Sequence, residues 1–457
     1  MGKTFQLKKK RILNATSRFT RRVHNRVGDR VTLNMIAVVI GLLCGAAASL
    51  LHFLTDSVTA LVGPGGLYSE GRIWPFVIPW TGIIITGILC RYVFRANIEH
   101  GSNKLETDIR NRKYRLEAKL TYAPIIASSI TVGCGGSVGV EDPIIYSGGA
   151  IGSNAGKLFG LPDGMLRILI GCGASAGIAG IFIAPVTGIM FCLEVLCLGL
   201  STVTVIAVAC SCLTAALTAF CLNGMHLNLL YTGHLPFQLT QLLPLLLLGL
   251  FCGFFSLYYS FMMVHTETLL NLLRNPWAKN IISGAAIALL VYIFPVLYGE
   301  GHGVMERLIN GSGSSTFGSA LLHPDNVWGL FGVLAGILAV KALATQSTNS
   351  GGGVGGDFTP TLFSGSIVGF LFASFATEIL GADIPASDFA LYGMAGVMAG
   401  AIKAPLMAIF LVVETIGDYN MLLPLTICAL SSFGVVRAFT RITGVPVRPA
   451  WRHMETY

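Results

Sequence analysis

The stretch Val195–Leu222 reads VLCLGLSTVTVIAVACSCLTAALTAFCL, and no Asp, Glu, Lys or Arg occurs anywhere from Val195 to Thr266. These 72 residues are enough to cross a bilayer about three times, at roughly 20 residues a crossing. Only 11% of the 457 residues are charged and 53% are apolar, whereas soluble domains carry roughly 25% charged residues. The composition excludes a soluble enzyme, a disordered scaffold and a nucleic-acid-binding domain. It predicts an all-α polytopic membrane protein.

Basic residues are concentrated at the amino terminus. Residues 1–30 hold ten Lys or Arg and a single acid, Asp29, within a chain of net charge +8. Positively charged segments stay on the cytoplasmic side and are attracted to anionic lipid, which explains the arm more simply than nucleic-acid binding does. Four arginines after Val436 predict a cytoplasmic tail as well. We therefore expect an arm at 1–30, membrane halves at 31–225 and 226–440, and a short tail at 441–457.

Two motif pairs recur in the same order, which indicates an internal duplication. Ala184–Glu194 (APVTGIMFCLE) recurs 220 residues later as Ala404–Glu414 (APLMAIFLVVE). Val138–Pro143 (VGVEDP) recurs as Val354–Pro360 (VGGDFTP), at an offset of 216 at the valine and 217 at the proline. Duplicated halves with apolar segments broken by Gly or Pro are typical of a channel or transporter whose site lies near the middle of the membrane.

Glycine-rich breaks precede apolar, helix-forming sequence at 100–103 (HGSN), 139–143 (GVEDP) and 356–360 (GDFTP). Each break places backbone N–H groups at a helix N-terminus, which attracts anions. Pro143 and Pro360 favour helix starts, because proline is tolerated in the first turn. Several converging N-termini would bind an anion without Lys or Arg, whose charge is costly inside a membrane. The predicted anion-binding residues are Ser102, Gly139, Val140, Gly356, Asp357, Phe358 and Thr359.

Glu141 stands among these amides, and a carboxylate within a membrane is a functional hypothesis by default. Because a carboxylate is itself an anion, it can occupy the helix-end site that a halide would occupy. Protonation, or displacement by the permeating ion, would release it. We therefore predict Glu141 as a gate, with a helix cap as the alternative. Glu194 and Glu414 occupy equivalent repeat positions and are better explained as buried structural acids bonded to backbone amides.

At these residues the sequence resembles the CLC family of chloride channels and proton/chloride exchangers. The resemblance implies a homodimer with an independent anion pathway in each subunit, built from inverted halves of many tilted and partial helices. It also implies Glu141 as the gate, Ser102 as an anion contact and Phe358 as a backbone donor. The lack of cytoplasmic regulatory domains resembles bacterial members and implies the bacterial inner (cell) membrane. The resembling segments, in family order, are Gly133–Pro143, Ala184–Glu194, Gly299–Gly303, Lys341–Thr345, 356–360 and Glu414–Pro424, whereas 101–105 (GSNKL) departs from the family's GSGIP.

Several positions depart from the family's pattern. Val140 replaces a basic residue before the gate and Asp142 replaces a glycine after it, and an ionised Asp142 would repel anions. Exchangers often carry a second glutamate just after the position of Glu194, where this chain has Val195. That valine favours a chloride channel; the alternative is a proton/chloride exchanger with another proton path, for example through Asp142. Arg448 aligns with the family's pore tyrosine, which leaves its pore role open.

The sequence shows no motif for catalysis, nucleotides or metals in the context that each requires. Gly156-Lys157 lacks the upstream glycine of a P-loop, and HExxH does not occur. GxSxG occurs only within glycine-rich apolar sequence, at 135–139 and 173–177, and the eleven cysteines form no CxxC pair. A cation-coupled solute transporter would need a polar cluster for its solute, and none is visible. We expect no enzymatic activity, no cofactor and no metal. The expected partners are chloride or a similar small anion, protons in the exchanger alternative, membrane lipid and a second copy of the chain, but no nucleic acid.

Overall fold

The computed structural model describes residues 29–63, 73–95, 98, 101–199, 201–224, 231, 239–310, 327–382 and 384–444. The basic arm up to residue 28 and Arg448 lie outside the described residues. Within the part described, the chain is predominantly helical, and the isolated bridge between Gly139 and Gly356 is the single pairing of strand type. The prediction of an all-α fold is confirmed. The helices are α1 Asp29–Val62, α2 Trp74–Ile88, α3 Gly101–Arg110, α4 Ala123–Gly133, α5 Glu141–Leu158, α6 Asp163–Phe182, α7 Pro185–Glu194, α8 Thr202–Leu222, α9 Leu242–Asn271, α10 Pro276–Ile293, α11 His302–Ile309, α12 Val327–Ser350, α13 Phe358–Leu380, α14 Ala386–Ile402, α15 Pro405–Ile416 and α16 Leu422–Thr443.

Nine of the described helices are long and apolar enough to cross a membrane. They are α1, α2 with its π-helical continuation Leu89–Phe94, α6, α8, α9, α10, α12, α13, and α16 with the short turn before it. Another four apolar helices, α4, α7, α14 and α15, have only 10–17 residues, fewer than the roughly 20 that a full crossing needs. The chain is therefore a multi-pass membrane protein that contains partial helices.

The duplicated Ala-Pro segments adopt the same backbone conformation. Ile183 and Lys403 end the preceding helices in the left-handed region, with φ of 55° and 62°. Ala184 and Ala404 follow with φ of −128° and −129° and ψ of 83° and 76°. The next residue is a proline in both copies and begins α7 or α15, as its fixed φ favours at a helix start. The repeat seen in the sequence thus extends to local structure.

The pairs α5–α6 and α13–α14 cross at glycines in the same manner. A Cβ added at Gly148 would collide with the carbonyl oxygen of Gly173, and a Cβ added at Gly173 would collide with that of Gly148. A Cβ added at Gly365 or Gly393 would collide with the other's carbonyl oxygen in the same manner. Small residues at such crossings let helix backbones approach directly. Gly365 follows Gly148 by 217 residues and Gly393 follows Gly173 by 220, close to the offsets of the sequence motifs. The internal repeat is therefore present in helix packing.

The chain divides into two compact units whose segments alternate along the sequence. Among the described residues, one unit comprises those up to Leu50 and those within Lys104–Ile125 and Ile144–His226. The other comprises the described residues within Leu51–Asn103 and Ile126–Pro143 and those after Leu227. This second unit contains the loops before α5, α11 and α13, so the site described next is formed within it.

Candidate functional site

Two glycine-rich loops pair where α5 and α13 begin. The amide of Gly139 donates to the carbonyl of Gly356 at 3.0 Å, and the amide of Gly356 donates to the carbonyl of Gly139 at 2.7 Å. Glu141 and Phe358 each begin a helix two residues after the bridged glycine. The bridge therefore holds two helix N-termini side by side, from the two loops that the repeated motif singled out.

The carboxylate of Glu141 lies at the N-terminus of α13. Its Oε1 accepts a hydrogen bond from the backbone N–H of Thr359 at 2.6 Å and another from the Thr359 hydroxyl. The side chain is 1% exposed, and Oε2 has no hydrogen-bond partner within the described part of the chain. Free amides and the dipole of a helix N-terminus stabilise negative charge. Glu141 therefore occupies donors that would equally serve a small anion.

The same carboxylate packs directly against the two bridged glycines. A Cβ added at Gly139 would collide with the carboxylate oxygens of Glu141, and a Cβ added at Gly356 would lie 2.8 Å from Oε2. Because every other residue type carries a Cβ, only glycine leaves room for the carboxylate at these positions.

A second carboxylate contacts the loop before α5. The backbone N–H of Val140 donates to Glu300 Oε1 at 2.9 Å, and Glu300 Oε2 lies 3.2 Å from Nε2 of His302. Burial would raise the pKa of Glu300, but the hydrogen bond and charge of His302 lower it below its usual range. Burial would likewise lower the pKa of His302, and Glu300 raises it instead. The amide of Val140, a predicted anion donor, is engaged by this ion pair.

A buried lysine holds the backbone just before Gly139. Lys341 of α12 is fully buried, and its Nζ donates to Ser137 Oγ at 2.8 Å and lies 4.6 Å from the centre of the Phe363 ring. The Thr345 hydroxyl donates to the carbonyl of Ser137 at 2.9 Å. The ammonium group is thus satisfied by a hydroxyl and an aromatic face, and α12 fixes the entry to the loop.

The remaining predicted residues of the second unit are buried as well. Asp357 and Phe358 lie at the start of α13, and Asn349 donates to Asp357 Oδ1 at 3.3 Å. Asp142 is buried in the first turn of α5. Ser102 is buried in the first turn of α3, and its hydroxyl has no hydrogen-bond partner among the described residues. Among the described residues, the Ser102 hydroxyl therefore makes no hydrogen bond to the bridged loops.

Two predicted residues belong to the first unit, and one lies outside the described residues. Glu194, the last residue of α7, is half-buried, so the prediction of a buried acid is wrong there, whereas Glu414 is buried. Val195, which follows Glu194, is buried. Arg448 is not among the described residues. The predicted residues that the structure brings together around the bridge are Gly139, Val140, Glu141, Asp142, Gly356, Asp357, Phe358 and Thr359.

No role was predicted from the sequence for Glu300 or His302. Both lie in Gly299–Gly303, a segment identified only through its family resemblance. An acid and a histidine placed between glycines could have marked this segment as a candidate site. Tyr259 of α9 was also missed; it is fully buried, and its hydroxyl has no hydrogen-bond partner among the described residues. Its position in the charge-free run gave no indication of this, because tyrosines are common in membrane helices. In the described segments no group of three or more His, Cys, Asp or Glu side chains could hold a metal ion.

Comparison with known proteins identifies the family. A family model described as voltage gated chloride channel matches residues 81–437. The chain belongs to this family, the CLC family. The resemblance drawn from the motifs is confirmed, and because CLC proteins are channels and transporters, this CLC protein is a transport protein and not an enzyme.

The relatives of this CLC protein include some named as chloride channels and others named as proton/chloride exchangers. The voltage-gated ClC-type chloride channel ClcB of Salmonella typhi is 29% identical over 420 residues, which cover 87% of this chain and 94% of the relative. The H(+)/Cl(-) exchange transporter ClcA of Vibrio vulnificus is 30% identical over 312 residues, 66% of this chain and 63% of the relative. Similarity therefore indicates the family without separating channel from exchanger.

Solved structures of the family share the fold. A slow cyanobacterial Cl−/H+ antiporter superposes with a TM-score of 0.76 at 21% identity, covering 93% of this chain and 96% of that one. A CLC-type fluoride/proton antiporter gives a TM-score of 0.71 at 22% identity, covering 89% and 96%. The prediction of a CLC-type fold is confirmed.

Proposed function

We propose that this protein conducts chloride or a similar small anion across the bacterial cell membrane, through a pore in each subunit that Glu141 gates. The observation that carries the proposal is the hydrogen bond from the Thr359 amide to the Glu141 carboxylate. A halide and a carboxylate compete for such an amide, because a helix N-terminus attracts any small anion. The name of the ClcB relative supports chloride as the ion.

Gating follows from the poor compensation of the buried carboxylate. Ionised Glu141 blocks the pore while it accepts the hydrogen bonds of Thr359. A buried charge is costly unless it is fully paired, and Oε2 has no partner among the described side chains and amides. Protonation, or arrival of an anion at the same donors, therefore releases the side chain. Ser102, Asp357 and Phe358 complete the proposed anion pathway. Gly139, Val140 and Gly356 are proposed to line it without donating to the anion, because their amides are engaged by the bridge and by Glu300.

We favour a channel-like mechanism over proton-coupled exchange. The second glutamate of many exchangers is replaced by Val195, which cannot carry a proton. The alternative is an exchanger with a different proton path, on which Asp142 and Glu194 are the candidate acids. The name of the ClcA relative supports this alternative. Arg448 stays a candidate pore residue in either case.

The proposed assembly is a homodimer with both termini in the cytoplasm and lipid around each subunit. The basic arm supports the orientation, since positive charge stays on the cytoplasmic side. The matched glycine crossings at Gly148 and Gly365 support two duplicated halves, at 31–225 and 226–440.

Chloride efflux from reconstituted vesicles tests the gate. Glu141→Gln removes the competing charge, and a hydrogen bond to a charged group is worth about 1.5–3 kcal/mol; we therefore expect efflux to rise about tenfold at neutral pH. Glu117→Gln is the control, because Glu117 is exposed and its ion pair with Lys119, at 2.8 Å, lies away from the bridged loops. Vesicles that leak no faster than empty ones would overturn anion transport, and unchanged efflux in Glu141→Gln would overturn the gate.

Internal pH recorded in the same vesicles separates the two mechanisms. A channel moves chloride down its gradient without moving protons. A chloride gradient that drives protons uphill at a fixed ratio would exclude the channel and establish the exchanger.

A further inference from the structure

Glu300 connects the loop that carries the gate to a partly exposed histidine. One carboxylate oxygen binds the Val140 amide at 2.9 Å, and the other lies 3.2 Å from His302 Nε2. The side chain of Glu300 is 9% exposed, whereas that of His302 is 35% exposed. A proton can therefore reach His302 from outside the site. The Glu300 carboxylate, whose negative charge the protonated histidine compensates, lies inside the site, next to Val140.

Titratable groups lie near both members of the pair. His52 of α1, Lys341 of α12 and Glu141 lie within electrostatic reach of Glu300. Those that act on His302, besides Glu300 itself, are Asp56 of α1 and Glu306 of α11. His302 thus faces three acids, which favour its protonated form.

We propose that Glu300 and His302 form a proton-sensitive positioning pair that sets the charge of the anion site from outside the gate. This proposal rests on the anion transport proposed above and adds a second titratable control to Glu141. When His302 is protonated, the pair is neutral overall and an anion meets no excess negative charge. When His302 loses its proton, Glu300 keeps a buried negative charge beside the Val140 amide, and this charge repels the anion.

The direction of the pH dependence follows from the histidine. Its pKa lies above the usual value because Glu300 favours the cation more strongly than burial opposes it. Anion transport is therefore high at low pH and falls as the pH rises through that raised pKa. Glu141 titrates as well, so its contribution must be removed before that of the pair can be measured.

Substituting Glu300 and substituting His302 should change anion flux in opposite directions. A purely structural role of the pair would not produce opposite changes. Glu300→Gln keeps an oxygen for the Val140 amide but removes the charge, so anion flux stays high at every pH. His302→Gln keeps an N–H donor for Glu300 but leaves the carboxylate uncompensated, so flux stays low at every pH. We expect differences of about threefold to tenfold, as for one unit charge near the ion in a partly screened site.

Chloride efflux from vesicles between about pH 5.5 and 8.5, a range centred near the usual pKa of histidine, tests the pair in the Glu141→Gln background. In this single variant, chloride flux should still fall as the pH rises. Adding Glu300→Gln should remove the fall and leave the flux high at every pH. Adding His302→Gln should remove the fall and leave the flux low at every pH. His265→Gln is the matched control, because His265 is exposed and stacks on Phe261 of the same helix. In this control the fall should persist.

Two outcomes would overturn the pair while leaving the proposed function intact. Glu141→Gln vesicles that conduct chloride equally at all pH values would show that the gate is the sole titrating group. Glu300→Gln and His302→Gln changing flux in the same direction would show a structural role. Failure of wild-type vesicles to conduct chloride would instead reject the proposed function, and the pair with it.

Discussion

Thr359 donates two hydrogen bonds to one carboxylate oxygen of Glu141, although 218 residues separate them in the sequence. The amide contributes one bond at 2.6 Å, and the hydroxyl contributes the other. The amide belongs to the helix N-terminus and would serve an anion equally, whereas the hydroxyl can be removed by substitution. The strength with which the gate is held can therefore be changed without altering the backbone.

Thr359→Val should loosen the gate. Valine matches threonine in shape and leaves the amide in place, so the variant loses only the hydroxyl donor, worth about 1.5–3 kcal/mol toward a charged acceptor. We expect chloride efflux at neutral pH to increase about tenfold. Thr359→Ser, which keeps the hydroxyl, should behave as wild type in the same vesicles. If the valine and serine variants gave equal rates, the hydroxyl would have no part in holding Glu141.

Gly139→Ala should expel the Glu141 carboxylate from its place. The added Cβ would overlap the carboxylate oxygens, and the side chain can relieve the clash only by swinging away. Efflux should then rise to the level of Glu141→Gln and no longer depend on the residue at 141. Gly434→Ala is the control, because no described atom outside its own stretch of helix backbone lies within 4 Å of the added Cβ. A further rise when Gly139→Ala and Glu141→Gln are combined would contradict expulsion.

The fold was predictable because its physical determinants are local. The charge-free run from Val195 predicts membrane helices. Lipid cannot form hydrogen bonds with backbone N–H and C=O groups, so the backbone must satisfy them within a helix. The matched Ala-Pro segments at 184–194 and 404–414 predict the repeat, and their backbone angles agree closely. Proline at the start of a short helix acts through its own φ and needs no tertiary information.

The site was predictable only in part, because some of its contacts join distant segments. Glu141 and the glycine loops carry a recognisable motif. Glu300 instead reaches the Val140 amide across 160 residues, and spacing gives no clue to such a contact. Tyr259 likewise depends on how α9 packs, which an apolar run without charged residues does not specify.

Ser137→Ala should destabilise the fold. The Ser137 hydroxyl is a hydrogen-bond partner of the fully buried Lys341 ammonium at 2.8 Å, and losing a partner of a buried charge costs about 1.5–3 kcal/mol. We expect a lower Tm in detergent. Ser137→Thr, which keeps a hydroxyl, should lose less. The double variant Ser137→Ala with Lys341→Met should recover part of the loss, because no charge is then left unpaired; a further drop would contradict this account.

Gly148→Ala and Gly365→Ala should have matching effects. Each added Cβ would strike the carbonyl oxygen of the facing helix, and forcing extra volume into a packed crossing costs about 1–3 kcal/mol. Both variants should lower Tm by similar amounts, and each should be less stable than Gly434→Ala. The two glycines occupy equivalent places in the repeat. A large decrease in Tm for one variant and none for the other would show that the two crossings do not contribute equally to stability.

Thermal stability should depend on pH through His302 and Glu300. Burial works against both pKa shifts, yet the pairing raises the pKa of His302 above 6.5 and lowers that of Glu300 below 4.5. The contribution of His302 is complete below pH 6.5 and is lost as the pH rises through the raised value. That of Glu300 is complete above pH 4.5 and is lost as the pH falls through the lowered value. Tm in detergent should therefore be highest between these pH values and decline above them. His302→Gln should flatten the decline on the alkaline side while His265→Gln retains it, and a decline as steep in His302→Gln as in the wild type would place the titrating group elsewhere.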